Sequence, residues 1–95
     1  MKKVLITRKL IKSSEDYASQ IFNTKLNKED RLLTKEQIIE ESKGCDGILS
    51  SITEKFDNDT ILQLPKTIKI ISNFAVGFGN IDINAAKNKN IAVTN

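Results

Sequence analysis

Between Ile71 and Asp82 the chain reads ISNFAVGFGNID, and two of its four glycines, Gly77 and Gly79, fall there. A G-x-G pair after an apolar run leaves backbone N–H groups open to a ligand that a side chain would otherwise hold off. A dinucleotide fingerprint G-x-G-x-x-G would need a small third residue, but that position is Asp82, whose carboxylate repels a pyrophosphate. A Walker loop needs Gly-Lys-Ser/Thr after four spacers, and the stretch has none. What remains is a loop with no charged side chain from Asn73 to Asn80. With positive φ at Gly77, adjacent amides would turn toward one point and form a concavity suited to a carboxylate. The same residues also suit a plain strand-to-helix turn, the commoner use of such sequences: Gly77 for geometry, Asn80 for a local hydrogen bond, Asp82 as helix cap.

Other chemistries lack their residues. There is no histidine among the 95 residues, so a histidine base, ligand or triad is excluded and no metal centre is expected. Cys45 is the one cysteine, which rules out an intrachain disulfide and leaves a thiol with no histidine to activate it. A buried structural thiol in a reducing, cytoplasmic compartment is the expectation. A net charge of +3 comes from scattered lysines, not from a basic face interleaved with aromatics, so nucleic acid is not an expected partner. MKKVLITRKL has only three consecutive apolar residues, too few for a signal peptide. No apolar run approaches the roughly 20 residues of a membrane span, so no membrane association is expected.

The elements that must position the loop can be traced from periodicity. Val4–Thr7 is a short apolar run of the kind found in buried parallel strands. Ser13-Ser14-Glu15-Asp16 predicts a helix start, followed by Tyr17, Ala18, Ile21 and Phe22 on one face. An edge strand is expected around Thr24–Leu26. Thr34-Lys35-Glu36-Gln37 reads as a capping box, with Ile38 and Ile39 behind it and Gly44 as a left-handed stop. Gly47–Ser50 is a second strand. Asp57 or Asn58 caps a helix carrying Ile61, Leu62 and Leu64, which Pro65 ends. Ile68–Ser72 is the strongest strand signal. Asp82 caps a helix over 83–89, Asn90 supplies a left-handed stop, and Ile91–Thr94 forms a last strand. Strands alternating with helices predict one α/β domain: a parallel sheet with helices on both faces. Ligands of open parallel sheets sit beyond the carboxyl ends of the strands. Three loops qualify, at Arg8-Lys9, Ser50–Thr53 and Asn73–Asn80. The first has no glycine for a flavodoxin-type phosphate loop. Thr7-Arg8 and Ser50-Ser51 lack the carboxylates of a phospho-receiver pocket.

NFAVGFGNIDINAAKNKNIAVTN resembles the N-terminal segment of D-isomer-specific 2-hydroxyacid dehydrogenases, nearest the glyoxylate/hydroxypyruvate reductases. The family pattern is roughly N-Y-A-V-G-x-D-N-I-D, then a short helix, a turn and V-T-N. KVLITRKL, NKEDRLLTKEQIIEE, D-G-I-L and TEKFDND extend the likeness over essentially the whole chain. The resemblance implies a flavodoxin-like (Rossmann-like) three-layer parallel sheet: residues 1–95 as the N-terminal part of a substrate-binding domain, ending before the NAD-binding domain. It implies that the backbone amides of Val76 and Gly77, with Ala75 adjacent, hold the carboxylate of a 2-oxoacid or 2-hydroxyacid substrate. It also implies that the Val76 side chain lies near the nicotinamide, and that Ser51, with Ile52 beside it, lines the same pocket.

Three residues depart from the family pattern: Ser51 stands for a frequent leucine, Gly79 for a frequent aspartate and Asn90 for the usual glycine. The family's catalytic arginine, glutamate and histidine lie in a following Rossmann domain, so no catalytic residue is expected here. The complete enzyme would use NAD or NADP. This chain alone is expected to bind neither and to be inactive, with the missing Rossmann domain as its partner. The alternative is a stand-alone small α/β module that binds a carboxylate without catalysis.

Overall fold

The computed structural model describes residues 1–74, 77 and 79–94. The elements run β1 (Lys3–Ile6), α1 (Lys12–Ile21), β2 (Asn23–Lys25), α2 (Lys35–Glu41), β3 (Gly47–Ser50), α3 (Asn58–Gln63), β4 (Ile70–Asn73), α4 (Ile83–Asn88) and β5 (Ala92–Thr94). All neighbouring strands pair in parallel in the order β2-β1-β3-β4-β5. This is the flavodoxin-like order of a doubly wound sheet.

The register explains the layers. Leu5 pairs with Ile48, Ile48 with Ile71, and Ile71 with Val93, so these four share one face. They pack with Ile38 of α2, Ile61 of α3 and Ala85 and Ala86 of α4, around a core that also holds Phe56, Leu64, Ile68, Ile81 and Ile91. Cys45 is fully buried there, and burial pushes its thiol pKa up, as a structural cysteine requires. The opposite face carries Val4, Ile6, Leu49 and Ile70, with Ala18 of α1 and Phe22 at its C-cap beside them around an apolar hollow of about 290 Å³. Ile70 is half open at 39% exposure, and no residue of α1 is buried.

Most helix boundaries are local chemistry and lie where expected. The Thr34 hydroxyl accepts from the Gln37 N–H at 3.1 Å while Gln37 Oε1 accepts from the Thr34 N–H at 2.9 Å, a closed capping box. Asp57 and Asp82 cap α3 and α4 through the N–H groups of Thr60 and Ala85, at 2.8 and 3.0 Å. Gly44 and Asn90 take φ of 79° and 60°, as the left-handed stops demand. Two expectations need correction, both at the first helix. The first helix does not start on a Ser13 cap. Its N-cap is Ile11, with no side-chain hydrogen bond, and Glu15 Oε2 instead accepts from the Leu10 N–H at 3.2 Å. The face drawn from Tyr17, Ile21 and Phe22 is not core: Tyr17 is 65% exposed. In α3, Leu62 points outward while Ile61 and Leu64 are buried.

Candidate carboxylate-binding site

β1, β3 and β4 run parallel, so their carboxyl ends bring Thr7-Arg8, Ser50–Glu54 and the loop from Asn73 to Asn80 to one edge of the sheet. Ser50 pairs with Asn73 in register, which sets the second and third loops side by side. Gly77 adopts φ of 92°, and a Cβ there would meet no atom of the described residues within 4 Å. The need for glycine is therefore one of backbone conformation, not of space. Gly79 has the same open surroundings without a positive φ. Ala75 and Val76 lie outside the described residues.

The walls of this edge are held by buried polar groups. Asn73, 2% exposed, accepts from the Ser50 hydroxyl at 3.1 Å and donates through Nδ2 to the Gly77 carbonyl at 3.2 Å and to Asn80 Oδ1 at 2.8 Å. Asn80 Nδ2 in turn donates to the carbonyls of Glu54 at 2.8 Å and Ser51 at 3.1 Å. Phe56 and Ile81 form a parallel bridge beneath, where the Phe56 N–H donates to the Asn80 carbonyl at 2.7 Å. Glu54 is 2% exposed, and its carboxylate accepts from the Thr7 hydroxyl, the Thr53 hydroxyl and the Ser51 N–H, the last at 2.9 Å. The N–H of Ser51 is thus used inside the loop. Its hydroxyl is shared with Thr53 Oγ1 at 2.8 Å, on a partly exposed side chain.

Arg8 stands at the rim. Its guanidinium forks onto Asp30, with Nε–Oδ1 at 2.8 Å, and donates to Thr53 Oγ1 at 2.9 Å. It therefore braces the turn before α2 against the β3–α3 loop. A second concavity, about 420 Å³ between Lys55–Asp57 and Gly79–Asp82, opens where α3 and α4 begin. It is a poor anion site, because the aspartate caps already occupy both helix starts.

The model of the D-isomer specific 2-hydroxyacid dehydrogenase catalytic domain matches residues 4–95. The chain belongs to this family. It is 30% identical over 93 residues to a glyoxylate reductase of Pyrococcus furiosus, covering 98% of this chain and 27% of that protein. It is 33% identical over 94 residues to a glycerate dehydrogenase of Hyphomicrobium methylovorum, covering 99% of this chain and 29% of that one. Among solved structures, a D-isomer specific 2-hydroxyacid dehydrogenase from Polaromonas sp. JS6 66 superposes with a TM-score of 0.93 at 28% identity, over 98% of this chain and 29% of its own. The chain therefore spans under a third of the relatives it matches.

As a 2-hydroxyacid dehydrogenase catalytic domain, the chain places two of its expected site residues, Ser51 and Gly77, on adjacent loops at the sheet's carboxyl edge. The other two, Ala75 and Val76, fall outside the described residues. Sequence reasoning gave Asn80 a local turn role and did not single out Asn73 or Glu54. Asn80 had a signal, since it lies inside the A-V-G-x-x-N-I-D segment that carried the family resemblance. Glu54 had none of its own, because its partners are set by strand register. Among the described residues no helix is long and apolar enough to cross a membrane.

Proposed function

We propose that this chain is the substrate-binding lobe of an NAD(P)-dependent D-2-hydroxyacid dehydrogenase of the glyoxylate/hydroxypyruvate reductase type. The backbone amides of Val76 and Gly77 hold the carboxylate of the 2-oxoacid, Ala75 and Ser51 line the pocket, and the Val76 side chain meets the nicotinamide ring. The observation that carries the reading is Gly77. In a chain of this family, a residue with φ of 92° stands at the carboxyl edge of β4, in a loop without charged side chains. An uncharged loop leaves amide dipoles as the source of positive potential for an anion.

The division of labour follows from composition. Reduction of a 2-oxoacid moves a hydride to the carbonyl carbon and a proton to its oxygen. The nicotinamide supplies the hydride when the cofactor is bound by the second, Rossmann domain. The proton donor comes from that domain too, because a group poised near neutral pH is needed and this chain has no histidine. The chain's own residues bind the carboxylate, fix the carbonyl's direction and form one wall of a cleft that excludes water when closed. The half-covered sheet face at Val4, Leu49 and Ile70 gives such a partner domain an apolar surface to pack on.

The test is to read the gene beyond codon 95, express its complete product and follow NADH or NADPH oxidation with glyoxylate and with hydroxypyruvate. Turnover by the complete product and none by residues 1–95 alone is the expected result. A stop after codon 95, with millimolar glyoxylate binding and no turnover, would replace the enzyme reading with that of a carboxylate-binding module.

A further inference from the structure

We infer that Asn80 is a positioning residue of the carboxylate site, setting the gap between the Ser51 loop and the Gly77 loop. The inference rests on the reductase reading above. One side chain reaches both walls. Nδ2 holds the Ser51 and Glu54 carbonyls on the β3–α3 side, at 3.1 and 2.8 Å. Oδ1 accepts from Asn73, whose same amide nitrogen holds the Gly77 carbonyl at 3.2 Å.

The chemical match is specific to a primary amide. Around Asn80 stand three acceptors, the Ser51 and Glu54 carbonyls and Asn73 Oδ1 at 3.3 Å, and one N–H donor, so both N–H groups and the oxygen of an amide find partners. A carboxylate of the same shape would face two carbonyl oxygens with no proton to give, and would set a negative charge beside the bound anion. The arrangement also answers a problem that Gly77 creates. Glycine can take the required φ because nothing restricts it, and for the same reason nothing of its own holds it there. Fixing its carbonyl through Asn73 and Asn80 removes that freedom before substrate arrives. Preorganised donors of this kind lower the reorganisation cost of binding. The loop's base has other ties besides Asn80, in the Phe56–Ile81 bridge and the capped start of α4.

The experiment compares Asn80→Ala and Asn80→Asp with wild type in the complete gene product, by steady-state kinetics with glyoxylate and saturating NADPH, alongside thermal melting. For both variants the KM for glyoxylate is expected to rise about tenfold or more, with the KM for NADPH changed by less than about twofold and the fold retained. Asn80→Asp should be the worse binder despite its closer shape. A glyoxylate KM within about twofold of wild type in both variants would overturn the inference. So would proportionate loss of both KM values and thermal stability, or failure of both variants to fold, because Asn80 would then serve the fold and not the site. If the wild-type product does not reduce glyoxylate, the reductase reading itself fails. That failure is seen before any variant is compared, and it takes the inference with it.

Discussion

The Nε of Arg8 lies 2.8 Å from Oδ1 of Asp30, and the Lys9 N–H donates to the same oxygen at 2.8 Å. Asp30 sits at φ of 52°, so a left-handed residue in the β2–α2 connection is clamped to the carboxyl end of β1. Asn27 adds a second tie, donating to the Thr7 carbonyl at 2.8 Å. The Arg8 guanidinium first, and the Lys9 N–H second, hold the Asp30 pKa down from an ordinary 3.8 to about 2.

A carboxylate with a depressed pKa in the folded state stabilises the fold above its unfolded pKa and loses that contribution as pH falls. Here the contribution is complete above 3.8 and fades as pH falls through about 2. Asp30→Asn keeps a side chain that tolerates left-handed backbone but removes the charge. Its melting temperature is expected to lie below wild type at neutral pH, with the two curves converging toward pH 2. Thermal melts across that range check it, and a difference that does not vary with pH would show that the pair does not set the acid limb.

Gly77 and Gly79 should respond differently to the same change. Among the described residues neither has a neighbour that an added Cβ would strike, so the backbone is what separates them. Gly77→Ala forces an L-residue to φ near 92° and is expected to cost about 1–3 kcal/mol and to raise the 2-oxoacid KM of the complete enzyme. Gly77→Pro, which fixes φ near −65° and removes an N–H, should raise that KM further. Gly79→Ala should be within about 0.5 kcal/mol of wild type. Urea titrations of the three variants, with glyoxylate kinetics beside them, separate these outcomes.

Glu54 is a buried carboxylate with its donors supplied by two loops. Glu54→Ala strands the Ser51 N–H and the Thr7 and Thr53 hydroxyls and opens a hole, at an expected cost of about 3 kcal/mol. In a domain this small, that is a large fraction of the total stability. Glu54→Gln should cost only about 1 kcal/mol, because its oxygen can still accept from Ser51 while the Thr53 hydroxyl turns to accept from the new amide. Chemical denaturation of both variants tests the ordering.

What was legible in the sequence was what is local. The Thr34–Gln37 box, the Asp57 and Asp82 caps and the Gly44 and Asn90 stops each involve residues within one turn. Their side chains meet whatever the rest of the chain does. The α/β order followed from short apolar runs alternating with helical spacing, and it yielded a parallel sheet with α2, α3 and α4 on one face. The start of α1 was misread because Ser13 competes with Glu15, whose reach back to the Leu10 N–H is not visible in a pattern of residue types. The exposure of Tyr17 was missed because an apolar stripe does not say how much of it a neighbour covers. At the site, Gly77 was legible as a glycine in a loop without charge. The supports were not, since Thr7 meets Glu54 across 47 positions and Asn80 meets Ser51 across 29. Those pairings exist only once register places three strand ends together.

Lys89 shows the same dependence on tertiary placement and gives a separable test. Its ammonium donates to the carbonyls of Ile61 at 2.8 Å, Leu62 at 3.0 Å and Leu64 at 2.6 Å, capping the carboxyl end of α3 from the end of α4. Partial burial lowers its pKa, the desolvation cost of bringing a cation to that position. Lys89→Met keeps the aliphatic stem but leaves three terminal carbonyls without a cation. The expected loss is about 1–2 kcal/mol. Because Lys89 ties the carboxyl ends of α3 and α4, opposite the helix starts that follow the Ser51 and Gly77 loops, the substrate KM of the complete enzyme should be unchanged. A melt together with a glyoxylate titration reads both quantities. A shifted KM at unchanged stability would place Lys89 in the site's support and not in the helix pair.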